Sequence, residues 1–229
     1  MAELITALDF PNAQAALAMA ERLKGTVPWV KVGLELFTAE GPEIIFKLKD
    51  LQYKIFLDCK FNDIPNTCQG AAASAARLGT DLMTIHLSGG ERMCRAAIDG
   101  AREVREDVKL FGVTALTSFA DGEMPGVAMG VSEFAAYLAG KAAEWGLAGI
   151  VCSGFEVSGI KAAYPDLMCL CPGIRPAGSE AGDQRRIMTP SSAVKGGADY
   201  LVVGRPITKA GDPKEAARRI LCEMEGCSR

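Results

Sequence analysis

Residues 4–24 read LITALDFPNAQAALAMAERLK. Leu4–Phe10 is a short apolar run with β-branched members, and Asn12–Lys24 sets Ala, Leu and Met at helical spacing. The stretch therefore reads as a strand followed by a helix. The turn between them separates two kinds of α/β protein. An open, doubly wound sheet that binds a dinucleotide carries a Gly-rich fingerprint at this point. This chain has Asp9-Phe10-Pro11-Asn12 instead.

The same unit recurs along the chain. Further strands are expected at Trp29–Leu36, Lys54–Phe61, Leu82–Ser88, Lys109–Leu116, Gly149–Ser153, Asp166–Ile174 and Tyr200–Pro206. Ala-, Leu-, Lys- and Glu-rich stretches with helical spacing lie between them, as in Gly90–Glu106. Asn12 or Pro11 opens the first helix, Asp212-Pro213 opens the last, and Gly79, Gly146 and Gly197 stand where helices should stop. Most strand starts fall about 25–35 residues apart, the length of one strand–helix unit with short loops. Strands apolar on both faces, each followed by a helix, indicate a parallel sheet covered by helices. Eight such units predict a closed (β/α)8 TIM barrel at the compact end of its size range, with the open sheet as the alternative. The repeat uses the whole chain, so a single domain over residues 1–229 is expected.

Composition narrows the function. Hydrophobic residues at 49% and charged residues at 23% suit a folded chain and exclude a disordered one. The 25 Lys and Arg against 28 Asp and Glu give a net charge of −3, a poor basis for gripping nucleic acid. No apolar run approaches the roughly 20 residues that span a bilayer. The start, MAELITALDF, has no basic region followed by an apolar secretory core. A soluble, cytoplasmic protein is expected, without nucleic-acid or membrane partners. The eight cysteines suggest neither zinc nor staples. Their only close pair, Cys169 and Cys171, is expected to point to opposite strand faces, and no second pair or histidine stands at ligand spacing. Reduced, mostly buried thiols are expected.

In a barrel, chemistry gathers at the C-terminal strand ends, and the polar residues there can be read strand by strand. They are Asp9, Lys31, the set Asp58, Lys60 and Asp63, His86, Thr117-Ser118, Arg175 and Gly204-Arg205; charge is otherwise expected to be sparse along the strands. Asp58 and Lys60 stand two apart and so leave from one face, the barrel interior. Burying charge there is costly unless it is paired. Lys31 on the neighbouring strand and Asp63 in the following loop would complete a neutral network of two lysines and two aspartates. A network serving stability alone would be better replaced by apolar residues of similar volume. The charges instead suit proton delivery by an ammonium held beside a carbanion, with carboxylates fixing the lysine. His86, the single histidine, reads as a hydrogen-bonded structural residue with no catalytic role, and no metal site is expected.

At the other rim, VVGRP ends the eighth strand with Gly204, where backbone N–H groups approach an anion closely, followed by Arg205 as a bidentate donor. Arg175 and Gln184 lie in the preceding loop, and phosphates bind to these two loops in many barrels. The loop from Pro172 to Arg186 is long and rich in Gly and Pro, as suits a segment that closes over ligand.

With these residues in order, the chain resembles the bacterial orotidine 5′-phosphate decarboxylase family nearly end to end. LDCKFNDIPNT looks like its Asp-x-Lys-x-x-Asp core, at Asp58, Lys60 and Asp63. ALD at Asp9, VKVGLELFT around Lys31, LTS at Thr117, PGIRP at Arg175, DQ at Gln184 and VVGRPIT at Arg205 follow in the family's order. The resemblance implies a homodimer with shared active sites that converts orotidine 5′-phosphate to UMP and carbon dioxide, in pyrimidine biosynthesis, with no metal or organic cofactor. It implies that Lys60 protonates C6 of the pyrimidine and that Asp58 sits beside the substrate carboxylate. Lys31 and Asp63 complete the network, with Asp63 and Thr67 supplied by the partner subunit. Asp9 and Lys31 contact the ribose, Thr117 faces the base, and Arg175, Gln184, Gly204 and Arg205 hold phosphate or bridge it to the base. One departure is Asn62, where the family usually has His; it can hydrogen-bond but carries no charge. The alternatives are a magnesium-dependent keto-sugar-phosphate decarboxylase with the same core and a non-catalytic nucleotide-binding barrel.

Overall fold

The structure, a computed structural model, describes residues 2–176 and 187–226. Eight parallel strands close into a barrel in chain order, with the last pairing back onto the first. They are β1 (Glu3–Ala7), β2 (Trp29–Gly33), β3 (Lys54–Phe61), β4 (Leu82–His86), β5 (Lys109–Val113), β6 (Gly149–Val151), β7 (Met168–Cys171) and β8 (Tyr200–Val203). Helix α1 (Ala13–Leu23) follows β1, α2 (Leu34–Glu40) and α3 (Glu43–Asp50) follow β2, and α4 (Pro65–Arg77) follows β3. Then come α5 (Gly90–Arg102), α6 (Val131–Trp145), α7 (Val157–Ala163), α8 (Pro190–Lys195), α9 (Arg205–Thr208) and α10 (Pro213–Glu225). The (β/α)8 expectation holds; two of the units carry an extra helix, after β2 and after β8.

Local chemistry sets the helix ends. The Asn12 side chain accepts a hydrogen bond from the Ala15 N–H at 2.9 Å and so caps α1. Asp212 does the same for the Glu215 N–H at 3.1 Å, with Pro213 preset at the first turn of α10. Gly146 ends α6 at φ 83°, a conformation that costs glycine nothing.

The core has two shells. The larger lies between strands and helices, where Leu4, Val30, Ile55, Met83 and Ile150 meet apolar helix faces such as Ala16, Ala20 and Leu23 of α1. The smaller fills the barrel with Ile5, Trp29, Phe56, Leu82, Phe111, Leu170, Tyr200 and Val202. Trp29 and Phe111 meet the Tyr200 ring edge-on, at 5.6 and 5.8 Å between centroids. These aromatics plug the lower half of the barrel, and the open space is left at its C-terminal mouth.

Three expectations are corrected. Every strand except β3 stops two or three residues before its expected end. Apolar side chains continue past the last ladder bond, and Leu34–Leu36 and Arg205-Pro206 are already helical. Charge also gathers at the opposite mouth. There Glu3 accepts from the Trp29 indole at 2.7 Å, Lys54 lies 5.3 Å from the Trp29 ring centroid, and Lys109 donates to the Tyr200 hydroxyl at 2.9 Å. Finally, Cys169 and Cys171 do not point apart. A two-residue step returns a side chain to the same strand face, and both lie fully buried with Cys152 on the helix side. The described cysteines are all free thiols. Burial pushes the Cys94 thiol up to about 12, which keeps it in the neutral, unreactive form.

Candidate active site

Strand parity sends Lys31 and Asp58 into the barrel above the aromatic plug, and Lys60 joins them from an irregular step in β3. With Asp9 they form one alternating chain. Lys31 Nζ lies 2.7 Å from Asp9 Oδ1 and 3.7 Å from Asp58 Oδ2, and Lys60 Nζ lies 2.8 Å from Asp58 Oδ1. Thr84 on β4 donates its hydroxyl to the same Asp58 oxygen at 3.0 Å. The Asp58 side chain is only 13% exposed. Burial alone would raise its carboxyl, but the Lys31 and Lys60 cations and the Lys60 and Thr84 hydrogen bonds hold it below the usual carboxylate range. Asp58 is therefore a secured anion with two ammonium groups on its two oxygens.

Gly33 makes that arrangement possible. A Cβ there would come within 2.7 Å of Lys31 Nζ and 3.0 Å of Asp9 Oδ1. Two residues beyond Lys31 on β2, it faces the same way, and its bare backbone leaves space for the pair. Sequence reading passed over Gly33 and Thr84. Their signal was parity: each shares the inward face of its strand with a residue already singled out or with the barrel plug.

A cavity of about 280 Å³ opens over the charged chain. Asp9, Lys31, Asp58 and Lys60 line one side; Thr117, Gly173, Arg175, Gly204 and Arg205 line the rest, over an apolar floor that includes Phe56, Val113 and Val202. The size and the few convergent polar groups fit a site for a small molecule. Arg175 is buried and donates to the Ile174 carbonyl at 2.9 Å. Burial, and then the neighbouring Arg205 cation, push it below the usual arginine range. Two guanidinium groups close enough to repel one another favour an anion shared between them. At Gly204 a Cβ would meet only the Ala7 Cβ, at 3.5 Å, so packing within the chain does not demand a glycine. Its absent side chain leaves the backbone open to the cavity.

Two sequence-predicted residues stand apart. Asp63 and Thr67 are exposed and do not line the cavity of their own chain. Asp63 Oδ1 instead accepts from the Ile64 N–H at 2.6 Å. The expected four-membered network is thus corrected within one chain: Asp9, not Asp63, is its second carboxylate. β3 ends at Phe61, and Asp63 lies in the exposed connection between β3 and α4. Gln184 and most of its loop lie outside the described residues. His86 ends β4 without lining the cavity, and burial followed by the Lys60 charge push it below the usual histidine range. Among the described residues no three His, Cys, Asp or Glu side chains group to hold a metal ion, and no helix is long and apolar enough to cross a membrane.

A closed parallel barrel with paired charges on one side of its C-terminal mouth and guanidinium groups on the other is the framework of a (β/α)8-barrel enzyme. Residues 2–220 match the model of the family described as orotidine 5′-phosphate decarboxylase / HUMPS. The chain is 55% identical to an orotidine 5′-phosphate decarboxylase of Nitratidesulfovibrio vulgaris, with both chains covered completely. It is 50% identical to that of Lawsonia intracellularis, over 98% of this chain and 100% of that protein. Its fold is similar to the crystal structure of orotidine 5′-phosphate decarboxylase from Lactobacillus acidophilus, with a TM-score of 0.87 and 36% identity over 98% of this chain and 99% of that one. The chain belongs to the orotidine 5′-phosphate decarboxylase / HUMPS family.

Proposed function

We propose that the chain is a carboxy-lyase that converts orotidine 5′-phosphate to UMP and carbon dioxide in pyrimidine biosynthesis. In this reading a single barrel domain works as a cytoplasmic homodimer and needs neither metal nor organic cofactor. The observation that carries it is the Asp9–Lys31–Asp58–Lys60 chain facing Arg175 and Arg205 across one cavity.

Loss of carbon dioxide from C6 leaves an electron pair on an sp² ring carbon with no adjacent electron sink. A cation fixed where that charge develops stabilises the transition state more than the ground state. Lys60 is that cation. Asp58 holds its ammonium at 2.8 Å, ready to pass a proton to C6 as the C6–carboxylate bond breaks. Asp58 sits beside the departing carboxylate; Lys31, held by Asp9 at 2.7 Å, faces its other oxygen at 3.7 Å, and Asp9 and Lys31 meet the ribose hydroxyls. Thr117 faces the base. Arg175, Gly204 and Arg205 take the phosphate, with Gln184 bridging phosphate to base. One oxyanion-type contact supplies about 3–4 kcal/mol, against about 23 kcal/mol for a 10¹⁷-fold acceleration. Remote phosphate binding and a preorganised site must therefore contribute much of the rest.

The homodimer rests on Asp63 and Thr67. Both are exposed and neither lines its own cavity, and Ile64 between them is 66% exposed, a large apolar side chain that a partner subunit would cover. From there Asp63 and Thr67 would enter the partner's site.

The test is an ultraviolet assay of orotidine 5′-phosphate loss with protein stripped of metal by a chelator. Undiminished turnover is expected. Chelator-sensitive decarboxylation of a keto-sugar phosphate, with orotidine 5′-phosphate untouched, would establish the magnesium-dependent alternative. UMP binding without any turnover would establish the non-catalytic one.

A further inference from the structure

We propose that Thr84, which does not line the cavity, is the positioning residue for the Asp58–Lys60 pair. β3 and β4 pair at Leu57 with Met83 and again at Phe61 with Ile85. Between those points three residues of β3 stand opposite Thr84 alone, so the ladder is broken by a bulge. Lys60 sits in that bulge at φ 51°, a left-handed conformation that side-chain-bearing residues avoid. Such a conformation persists only where its surroundings hold it.

The Thr84 hydroxyl does this. It accepts the Lys60 backbone N–H at 3.0 Å, replacing the ladder bond that the bulge removes. It also donates to Asp58 Oδ1 at 3.0 Å, the oxygen that receives Lys60 Nζ. A threonine hydroxyl has one hydrogen to give, and here its direction is set by the N–H arriving from the other side. Thr84 is fully buried behind the charged chain, where no solvent competes for these bonds. One hydroxyl thus ties the strained backbone from which the Lys60 side chain starts to the carboxylate oxygen at which its ammonium ends. The sharp turn at Lys60 re-aims the ammonium into the cavity, and Thr84 keeps it there.

This inference rests on the proposed reading that Lys60 and Asp58 act on the substrate. Thr84→Val keeps the shape of the side chain but removes the hydroxyl, and Thr84→Ser keeps the hydroxyl but trims the methyl group. Thr84→Val is expected to lower kcat about 10- to 100-fold, as misplacement of a reacting group does, with KM within about threefold of wild type. The acid limb of the kcat–pH profile should move up, because Asp58 loses a donor to its charged form. Thr84→Ser should restore kcat to within about threefold of wild type. A wild-type kcat and pH profile in Thr84→Val, or a Thr84→Ser variant as impaired as Thr84→Val, would overturn the proposal. UMP titration gives the fraction of competent sites for each variant; if Thr84→Val does not fold, Thr84→Ala against Thr84→Ser makes the same comparison. Lys60→Ala is assayed alongside. If it keeps turnover, the reading of the site falls; if it is inactive while Thr84→Val is unaffected, only the role of Thr84 falls.

Discussion

Replacing Lys60 by alanine separates chemistry from architecture, and the structure sets the size of both effects. At 2.8 Å and an effective dielectric constant of about 20, the Lys60–Asp58 attraction is about 6 kcal/mol before desolvation. Lys31, at 3.7 Å, retains about 4.5 kcal/mol on the same basis. Asp58 would therefore keep one cation and the Thr84 hydroxyl, and would not become an unpaired buried charge. The stability cost should stay below the roughly 3–5 kcal/mol of a fully broken buried pair. At about 2–4 °C per kcal/mol for a chain of this size, the barrel should still melt cooperatively, less than about 20 °C below wild type. Turnover should fall much further. Loss of the cation at the developing charge is worth about 10²–10³-fold, and loss of proton delivery about 10²–10⁴-fold. Multiplied, these give a decline of about 10⁴-fold or more in kcat. The assay is the fall in orotidine 5′-phosphate absorbance, with UMP titration and a thermal melt on the same sample. A folded, UMP-binding Lys60→Ala protein with kcat within about tenfold of wild type would refute the assignment of Lys60 as the proton donor.

Four further outcomes are expected. Arg205→Ala should lower kcat/KM for the phosphorylated substrate about 10²-fold, the worth of one or two charge-assisted hydrogen bonds, while changing little for the unphosphorylated nucleoside; equal losses for both would remove Arg205 from the phosphate site. Gly33→Ala should push Lys31 off Asp9 and lower kcat about tenfold or more without unfolding the barrel, checked by kinetics and circular dichroism. Because the Asp58 carboxyl is lowered in the folded state, its contribution to stability is present above the unfolded carboxylate pKa and is lost as pH falls through the folded value; in a denaturant series across acidic pH, Asp58→Asn should flatten that part of the decline. Mixing inactive Asp63→Ala and Lys60→Ala subunits should regenerate activity, since one site of each mixed dimer would be intact; no recovery after verified subunit exchange would argue against partner donation.

Much of this protein was written in local sequence. Strand and helix periods, the capping residues Asn12 and Asp212, and the absence of a Gly-rich first turn led to the barrel because each acts over a few neighbouring residues. Asp58, Lys60, Lys31, Arg175 and Arg205 were legible for a related reason: charge inside an apolar strand, or beside a glycine at its end, is conspicuous without coordinates. Strand ends were less legible, because apolar side chains carry on into the loops that roof the barrel. What only the tertiary structure decided is how those groups meet. Asp9 rather than Asp63 is the second carboxylate of the chain's own cluster, because Asp63 falls in the exposed connection after β3 ends at Phe61. Gly33 matters through a gap it leaves for Lys31, and Thr84 through a bulge in a neighbouring strand. Sequence fixes which side chains a strand carries and on which face; closing eight strands into a ring fixes the distances between them, and at this site the chemistry depends on distance.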